Sequence, residues 1–315
     1  MTTPLEARVV RLDARGCLVR LDEPHDDLAG DGRELWCGVR GRIHLRDRRG
    51  QKSPVVVGDL VQVERTQEDR GAVVGIHPRK STLSRPDIRK GHIEHVLAAN
   101  VDQVVVVSGA ADPEFTPGLV DRILAVIEYS ELEAVIVVNK MDLVSQPPYE
   151  VEAYTALGYP VLLTSAEDGT GIEALRTQLA GRASVATGHS GVGKSSLLNA
   201  LEPGLGLDVG DVNVVTRRGK HTTTAAVWIP FGEDGAVVDT AGIREFGLFG
   251  IPKRDVPWLF RDIAAVAPGC KYPDCLHLHE PRCAVDEAVE NGEIATFRYE
   301  SYLRILEGLD EGASR

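Results

Sequence analysis

The chain has 315 residues, 43% apolar and 26% charged, which suits two or three globular domains and excludes a disordered or fibrous protein. No apolar run reaches eighteen residues, and the opening MTTPLEARVVRLD holds no stretch of signal-peptide length, so neither a membrane span nor secretion is expected and the cytoplasm is the default. The net charge of −12 argues against a nucleic-acid partner. Two segments run the other way: 38–52 has six Lys/Arg against one Asp, and 79–92 has five against one.

Residues 5–76 alternate in short apolar segments, EARVVRL, GCLVRL, ELWCGVR and VVVGDLVQVE, separated by Gly, Asp and Arg clusters. That spacing predicts a small β-barrel, with a small sandwich or an irregular β-rich arm as the alternative. Cys17 and Cys37 sit in these segments without partner spacing and read as core residues. Residues 79–95, with Pro86 and Gly91, read as a connecting segment. From 101 the pattern changes. VDQVVVVSGA reads as a strand buried on both faces. PGLVDRILAVIEYS follows as a helix, with Leu119, Ile123, Val126 and Ile127 in register and Pro117 in its first turn. Then come AVIVVNK as a strand, a short helix near 150–157, PVLLTS as a strand, GIEALRTQLA as a helix, and ASVATG as a strand running into GHSGVGKS and the helix KSSLLNAL. AAVWIP and GAVVDT are two further strands. Strands alternating with helices predict a mostly parallel sheet with ligands at the strands' C-terminal ends. Beyond about 249 the strand signal stops; 255–266 and 286–308 read as helices. The division expected is 1–80, 81–248 and 249–315.

Gly188-x4-Gly193-Lys194-Ser195 matches the P-loop pattern. Its glycines let several N–H groups face one anion, the following helix adds its positive end, Lys194 reaches the β- and γ-phosphates, and Ser195 ligates Mg²⁺. Asn139-Lys140-Met141-Asp142 ends a strand and suits guanine. Asp142 can accept from the ring N–H and the exocyclic amine that adenine lacks, Lys140 can lay its stem on the base, and Asn139 can tie neighbouring loops together. TSA at 164–166 would complete the pocket, with Ser165 beside it and the N–H of Ala166 toward guanine's oxygen. In DTAG, 239–242, Asp239 can hold Mg²⁺ through water and the N–H of Gly242 can meet the γ-phosphate. In KHTTT, 220–224, Thr223 or Thr224 can complete the Mg²⁺ shell. Ile243 stands where many GTPases place the glutamine that orients water, so slow unaided hydrolysis is expected, with His221 the nearest candidate to place the water and a bystander role equally open. The base-reading motif precedes the P-loop by 46 positions, the reverse of the usual order. A circularly permuted domain accounts for it, because closely spaced termini allow the old ends to be joined and new ones cut.

Cys270-x4-Cys275-x-His277-x5-Cys283 offers three thiolates and an imidazole, a closed set for structural Zn²⁺, with His279 competing for the fourth place. Five cysteines, three of them here, do not make a secreted disulfide framework.

LSRPDIRKG, AANVDQV, NKMDL, TSA, GHSGVGKSSLLNAL, KHTTT, DTAGIREF and CKYPDCLHLHEPRCAV occur here in one order. In that order the chain resembles the ribosome small-subunit-dependent GTPases, the RsgA (YjeQ/YloQ) group. The resemblance implies an N-terminal OB-type barrel, a permuted P-loop GTPase domain and a C-terminal, mainly helical zinc domain. It implies a GTP hydrolase acting late in small-subunit assembly and stimulated by the subunit. It assigns guanine to Asn139, Lys140, Met141 and Asp142, and phosphate to Gly188, His189, Ser190, Gly191, Val192, Gly193, Lys194, Ser195 and Ser196. It assigns zinc to Cys270, Cys275, His277 and Cys283. Ribosomal RNA would face the basic barrel segment and linker; a monomer is the simplest state. The family usually has proline where Ala241 stands, a departure that spares Asp239 and Gly242. Two other classes compete: a P-loop ATPase or kinase, which would keep ATP affinity in Asp142→Ala, and a zinc-containing RNA-binding protein that holds GTP without turnover.

Overall fold

The structure is a computed structural model that describes residues 4–13, 16–28, 31–39, 45–46, 52–53, 55–67, 69–86, 94–203, 226–232, 234–239 and 251–313. Its first strands are β1 (Leu5–Asp13), β2 (Gly16–Leu21), β3 (Glu34–Val39), the short pair β4 (Leu45–Arg46) and β5 (Lys52–Ser53), β6 (Leu60–Gln67) and β7 (Arg70–Ile76). Strands β1, β2, β3, β7 and β6 pair in that order and β6 returns to β1, closing a five-stranded barrel; only β3–β7 is parallel. Alternation explains the closure. On β2, Cys17, Val19 and Leu21 point into the barrel core while Leu18 and Arg20 face outward. Cys17 and Cys37 are free and fully buried there, and burial pushes both thiols up to about 12, as core residues require. VVVGDLVQVE, expected as one strand, is instead a turn leading into β6. Gly58 has a φ of 89°, and a Cβ on it would stand 2.0 Å from the Ala99 carbonyl oxygen.

The segment expected only to connect is partly a hairpin, β8 (Thr82–Pro86) against β9 (Glu94–Ala99). Leu83 and Ala98 are fully buried in the core of the domain that follows, which is why the segment orders.

That domain runs β10 (Gln103–Gly109), α1 (Pro117–Tyr129), β11 (Glu133–Asn139), α2 (Glu150–Ala156), β12 (Val161–Leu163), α3 (Ile172–Leu179), β13 (Ala183–Thr187), α4 (Lys194–Leu201), β14 (Val227–Phe231) and β15 (Gly235–Asp239). The spatial order is β12-β11-β10-β13-β15-β14, all parallel except β14. The chain enters mid-sheet at β10, builds to one edge through β11 and β12, then returns beside β10 as β13. The apolar run of β10 has a simple cause. Val104 and Val106 face a core shared with α1, while Val105 and Val107 face a second core with α3 and α4.

The C-terminal region is helical: α5 (Arg261–Val266), α6 (Ala284–Glu290) and α7 (Thr296–Ala313). Each expected helix is broken. Pro257 lies inside a 3₁₀ segment, Lys253–Leu259, that precedes α5. Gly292, at φ 77°, ends α6 by letting the Glu293 N–H return to the Ala288 carbonyl at 2.9 Å, before α7 begins at Thr296. Among the described residues, no helix is long and apolar enough to cross a membrane.

Candidate nucleotide site and metal centre

The sequence-predicted nucleotide motifs leave neighbouring strands at their C-terminal ends, on both sides of the point where the sheet changes direction between β10 and β13. Asn139 closes β11 and is 1% exposed. A buried amide needs partners, and it finds them in two other loops. Its Nδ2 donates to the Val192 carbonyl of the P-loop at 2.9 Å; its Oδ1 accepts from Thr164 Oγ1 and from the N–H of Ala166, each at 3.3 Å. The Met141 N–H donates to the Thr164 carbonyl at 3.1 Å. Three loops are thus pinned by one side chain.

Gly193 shows how close the approach is. Its φ is 90°, and a Cβ on it would stand 2.4 Å from Asn139 Nδ2 and 4.0 Å from Lys140 Cε. Any larger residue would push the 139–142 turn away from the 188–195 loop. Gly188 is equally constrained, with the Val107 carbonyl 2.0 Å from its would-be Cβ. Lys140 adopts a left-handed backbone, φ 66°, and its ammonium donates to the Asp112 carbonyl. Asp142 is exposed, and Ser165 Oγ donates to its Oδ1 at 2.7 Å, which orients the carboxylate. Lys194 opens α4, and its Nζ donates to the carbonyls of Gly188 and His189 at 2.8 and 2.9 Å, inside the loop it closes. Ser195 is 8% exposed in the first turn of α4.

The backbone of Asp239 ends β15 and pairs with Ala186 of β13 and Val227 of β14, so it lies one strand from the P-loop. His221, Thr223, Thr224, Ala241, Gly242 and Ile243 lie outside the described residues. Thr164 and Asp112 were not singled out from sequence as partners. Thr164 stood inside the TSA string, whereas a backbone carbonyl such as that of Asp112 leaves no sequence signal.

The second centre lies between α5 and α7. Donor atoms of Cys270, Cys275, His277 and Cys283 all lie within 4.8 Å of one another. Bond lengths of about 2.3 Å for zinc–sulfur and 2.0 Å for zinc–nitrogen put tetrahedral ligands about 3.8 Å apart for S···S and 3.5 Å for S···N. Here Cys270 Sγ to Cys283 Sγ is 3.9 Å, Cys270 Sγ to His277 Nδ1 is 3.5 Å and His277 Nδ1 to Cys283 Sγ is 3.4 Å. The donor set and its spacing fit a structural Zn²⁺. His279 does not join it: its ring is exposed, with Nδ1 3.5 Å from Asp286 Oδ2. The loop is held by α7. Tyr299 Oη donates to the His277 carbonyl and Tyr302 Oη to the Leu276 carbonyl, both at 2.6 Å, while Glu280 accepts from the N–H groups of Leu276 and Leu278. Burial pushes the Cys275 thiol up to about 12 and raises that of Cys283, so a metal ion must displace protons to bind. Burial lowers His277, keeping its imidazole in the neutral form that ligates.

A buried ion network joins this region to the nucleotide domain. Arg298 on α7, 1% exposed, donates to both oxygens of Asp262 on α5 at 2.9 Å and to Asp121 Oδ1 on α1 at 2.5 Å; Tyr154 Oη also donates to Asp121 Oδ1, at 2.8 Å. Burial raises the Asp121 carboxyl despite the guanidinium, and the paired aspartates hold Arg298 above its usual value.

A P-loop sheet in which the Asn-Lys-x-Asp turn precedes the P-loop along the chain defines a circularly permuted GTPase fold. The RsgA GTPase family model matches residues 76–249. The chain is 37% identical over 290 residues to "Small ribosomal subunit biogenesis GTPase RsgA 2" of Bacteroides thetaiotaomicron, covering 90% of this chain and 93% of that protein. It is 41% identical over 285 residues to the RsgA of Gemmatimonas aurantiaca, covering 88% and 91%. Among solved structures it is similar to YjeQ from Thermotoga maritima, with a TM-score of 0.74 and 34% identity over 97% of this chain and 98% of that one. It is also similar to YloQ, described as a circularly permuted GTPase, with a TM-score of 0.68 and 28% identity over 98% and 96%. The chain belongs to the RsgA GTPase family, whose members are GTP hydrolases.

Proposed function

We propose that this protein binds the small ribosomal subunit during late assembly in the cytoplasm and hydrolyses GTP to GDP and phosphate, slowly alone and faster on the subunit. The observation that carries the nucleotide half is the Asn139–Val192 hydrogen bond of 2.9 Å, which ties the 139–142 turn to the P-loop and so supports one nucleotide touching both. The subunit half rests on what the relatives are called. Asp142, held by Ser165, reads the guanine edge, Lys140 covers the base, and the Ala166 N–H exchanges its long contact with Asn139 for guanine's oxygen. Lys194 leaves the Gly188 and His189 carbonyls for the phosphates, where the backbone of Gly188 through Ser196 adds its N–H groups. Ser195 and Asp239 would hold Mg²⁺, helped by Thr223 or Thr224. The ion would neutralise phosphate charge, and Gly242 and His221 would face the γ-phosphate and the attacking water. Zinc, held by Cys270, Cys275, His277 and Cys283, is structural. The three functional units are 1–80, 81–248 and 249–315, in a monomer.

The test is phosphate release from GTP and ATP, with and without small subunits, for wild type, Lys194→Ala and Asp142→Ala. The expected result is GTP-selective release, raised by subunits and abolished in Lys194→Ala. ATP turnover that survives Asp142→Ala would point to a P-loop ATPase, and absent release under every condition to a nucleotide-holding RNA-binding protein.

A further inference from the structure

The outer wall of the barrel carries a row of side chains that barrel closure does not use. Strand register places Arg11, Leu18, Trp36 and Arg70 side by side on β1, β2, β3 and β7, each facing away from the core. The Arg11 guanidinium lies 6.0 Å from the centre of the Trp36 ring. Tryptophan is costly to leave partly exposed on an outer wall, and here its cross-strand neighbours are Leu18 and Arg70, with Arg11 one strand beyond Leu18. Two residues further along the same face of β3, Gly38 is exposed, and a Cβ added to it would meet none of the described residues within 4 Å. Among the described residues, a planar group can therefore lie against the strand beside the indole without displacing a side chain. The strand then leads into 40–52, where all six Lys/Arg of the basic segment lie.

We propose that Trp36, flanked by Arg11 and Arg70 and bordered by the bare step at Gly38, is a stacking platform for an unpaired RNA base. It rests on the reading of the protein as a small-subunit GTPase and names the RNA feature the barrel recognises. An aromatic face between arginines attracts any base by stacking and its phosphates by charge. A duplex hides its bases, so the platform selects single strands, loops or bulges over helices. An acidic protein segment would attract the arginines but would leave the indole and the step at Gly38 unused.

The experiment uses the full-length protein, fluorescein-labelled single-stranded decaribonucleotides (oligouridylate and oligoadenylate), an RNA duplex of equal length, and small subunits at fixed salt. Trp36→Ala is expected to weaken single-strand binding about tenfold, and Trp36→Phe to keep most of it. Gly38→Ile places a side chain in open space on ordinary strand backbone. It should keep the wild-type unfolding midpoint and lose single-strand affinity comparably to the alanine variant, with duplex binding unchanged in all three. The proposal is overturned if Trp36→Ala and Gly38→Ile bind single strands like wild type. It is equally overturned if the duplex is weakened as much as the single strand, or if subunit affinity falls while both RNAs bind normally, which would mark a protein contact. Should Trp36→Ala not fold, Gly38→Ile decides alone. Failure of the underlying reading looks different: wild-type GTP hydrolysis unmoved by subunits, whatever the oligonucleotides do.

Discussion

The two flanks of the nucleotide domain are attached by opposite means. The barrel keeps its own core, with Val9, Val19, Leu35, Val61 and Val73 packed among themselves. It meets the nucleotide sheet mainly at the β14 edge, where Arg11 pairs with Val227 just beyond a bulge between Val9 and Arg11, and it sends Val57 into the neighbouring core with Leu12 packed against that core. Among the described residues, the C-terminal region has no separate core. Phe260, Ile263, Val285 and Tyr302 are buried in one cluster with Ile123, Leu124 and Tyr154 of the nucleotide domain, and Cys270, Cys275 and Cys283 pack against it. An edge joint lets two cores unfold separately, whereas a shared core does not. The metal centre is therefore part of the nucleotide domain's stability, and the barrel is a neighbour.

Metal removal should strain this comparison most. Binding free energy at structural zinc sites is about 10–16 kcal/mol in small peptides, and a shared core passes the loss on. A strong chelator is expected to lower the unfolding midpoint of the nucleotide domain and its GTP affinity together, while hydrogen exchange in β2, β3 and β7 stays unchanged. A chelated protein that binds GTP normally would separate the two regions after all. The same site predicts a pH dependence. The raised thiols of Cys275 and Cys283 are protonated near neutrality and must lose their protons to the ion, while neutral His277 has none to lose. Metal affinity should thus fall as pH falls, with two or more protons released per ion, measurable by calorimetry in buffers of different ionisation enthalpy.

Arg298→Ala is the next largest. It leaves Asp121 and Asp262 buried without their cation, at a cost of about 3–5 kcal/mol. One cooperative transition covering both α1 and α7 should move down in denaturant titration. Recovery in the triple variant Asp121→Asn, Asp262→Asn, Arg298→Met would show that the charges, and not the packing of α7, carry the effect. Asn139→Ala removes the bonds to Val192, Thr164 and Ala166 and should act more locally. GTP affinity is expected to fall about tenfold, the unfolding midpoint by an amount equivalent to about 1–3 kcal/mol, and exchange to rise at 164–166 and 188–193 rather than in either flank.

How much of this was legible in the sequence depended on the range of the signal. The order of strands and the site loops were, because VVVVSG, NKMD and GHSGVGKS each carry their chemistry within a few residues and each sits at a strand end. The Cys–His spacing picked out the cluster that the fold gathers, but spacing alone left His279 competing with His277; the resemblance favoured His277, and the fold leaves the His279 ring exposed. The shared core was not legible. Arg298 and Asp121 lie 177 positions apart, and charges on amphipathic helices read as solvent faces. Asp59 was hidden in the same way: it is fully buried in the barrel joint, paired with Arg79 at 2.7 Å, inside what read as a single strand. The hairpin of β8 and β9 escaped because its order comes from Leu83 and Ala98 entering a core formed elsewhere in the chain.

The smallest expected effect lies at the edge joint itself. Arg8 on β1 stacks its guanidinium 4.5 Å over the ring of Trp228 on β14 and donates to the Gly58 carbonyl at 3.3 Å, which also accepts from Asn100 at 2.9 Å. A partly exposed cation–π contact is worth about 0.5–1 kcal/mol, and the Gly58 carbonyl keeps its second donor. Arg8→Ala should therefore leave the global unfolding midpoint nearly unchanged and raise hydrogen exchange only at the end of β1 and along β14. If it instead lowers global stability as far as Arg298→Ala, the barrel is fused to the nucleotide domain as firmly as the metal region is. If exchange at β14 does not move, the stacked pair is not what holds the joint, and the buried Asp59–Arg79 pair remains to be broken in its place.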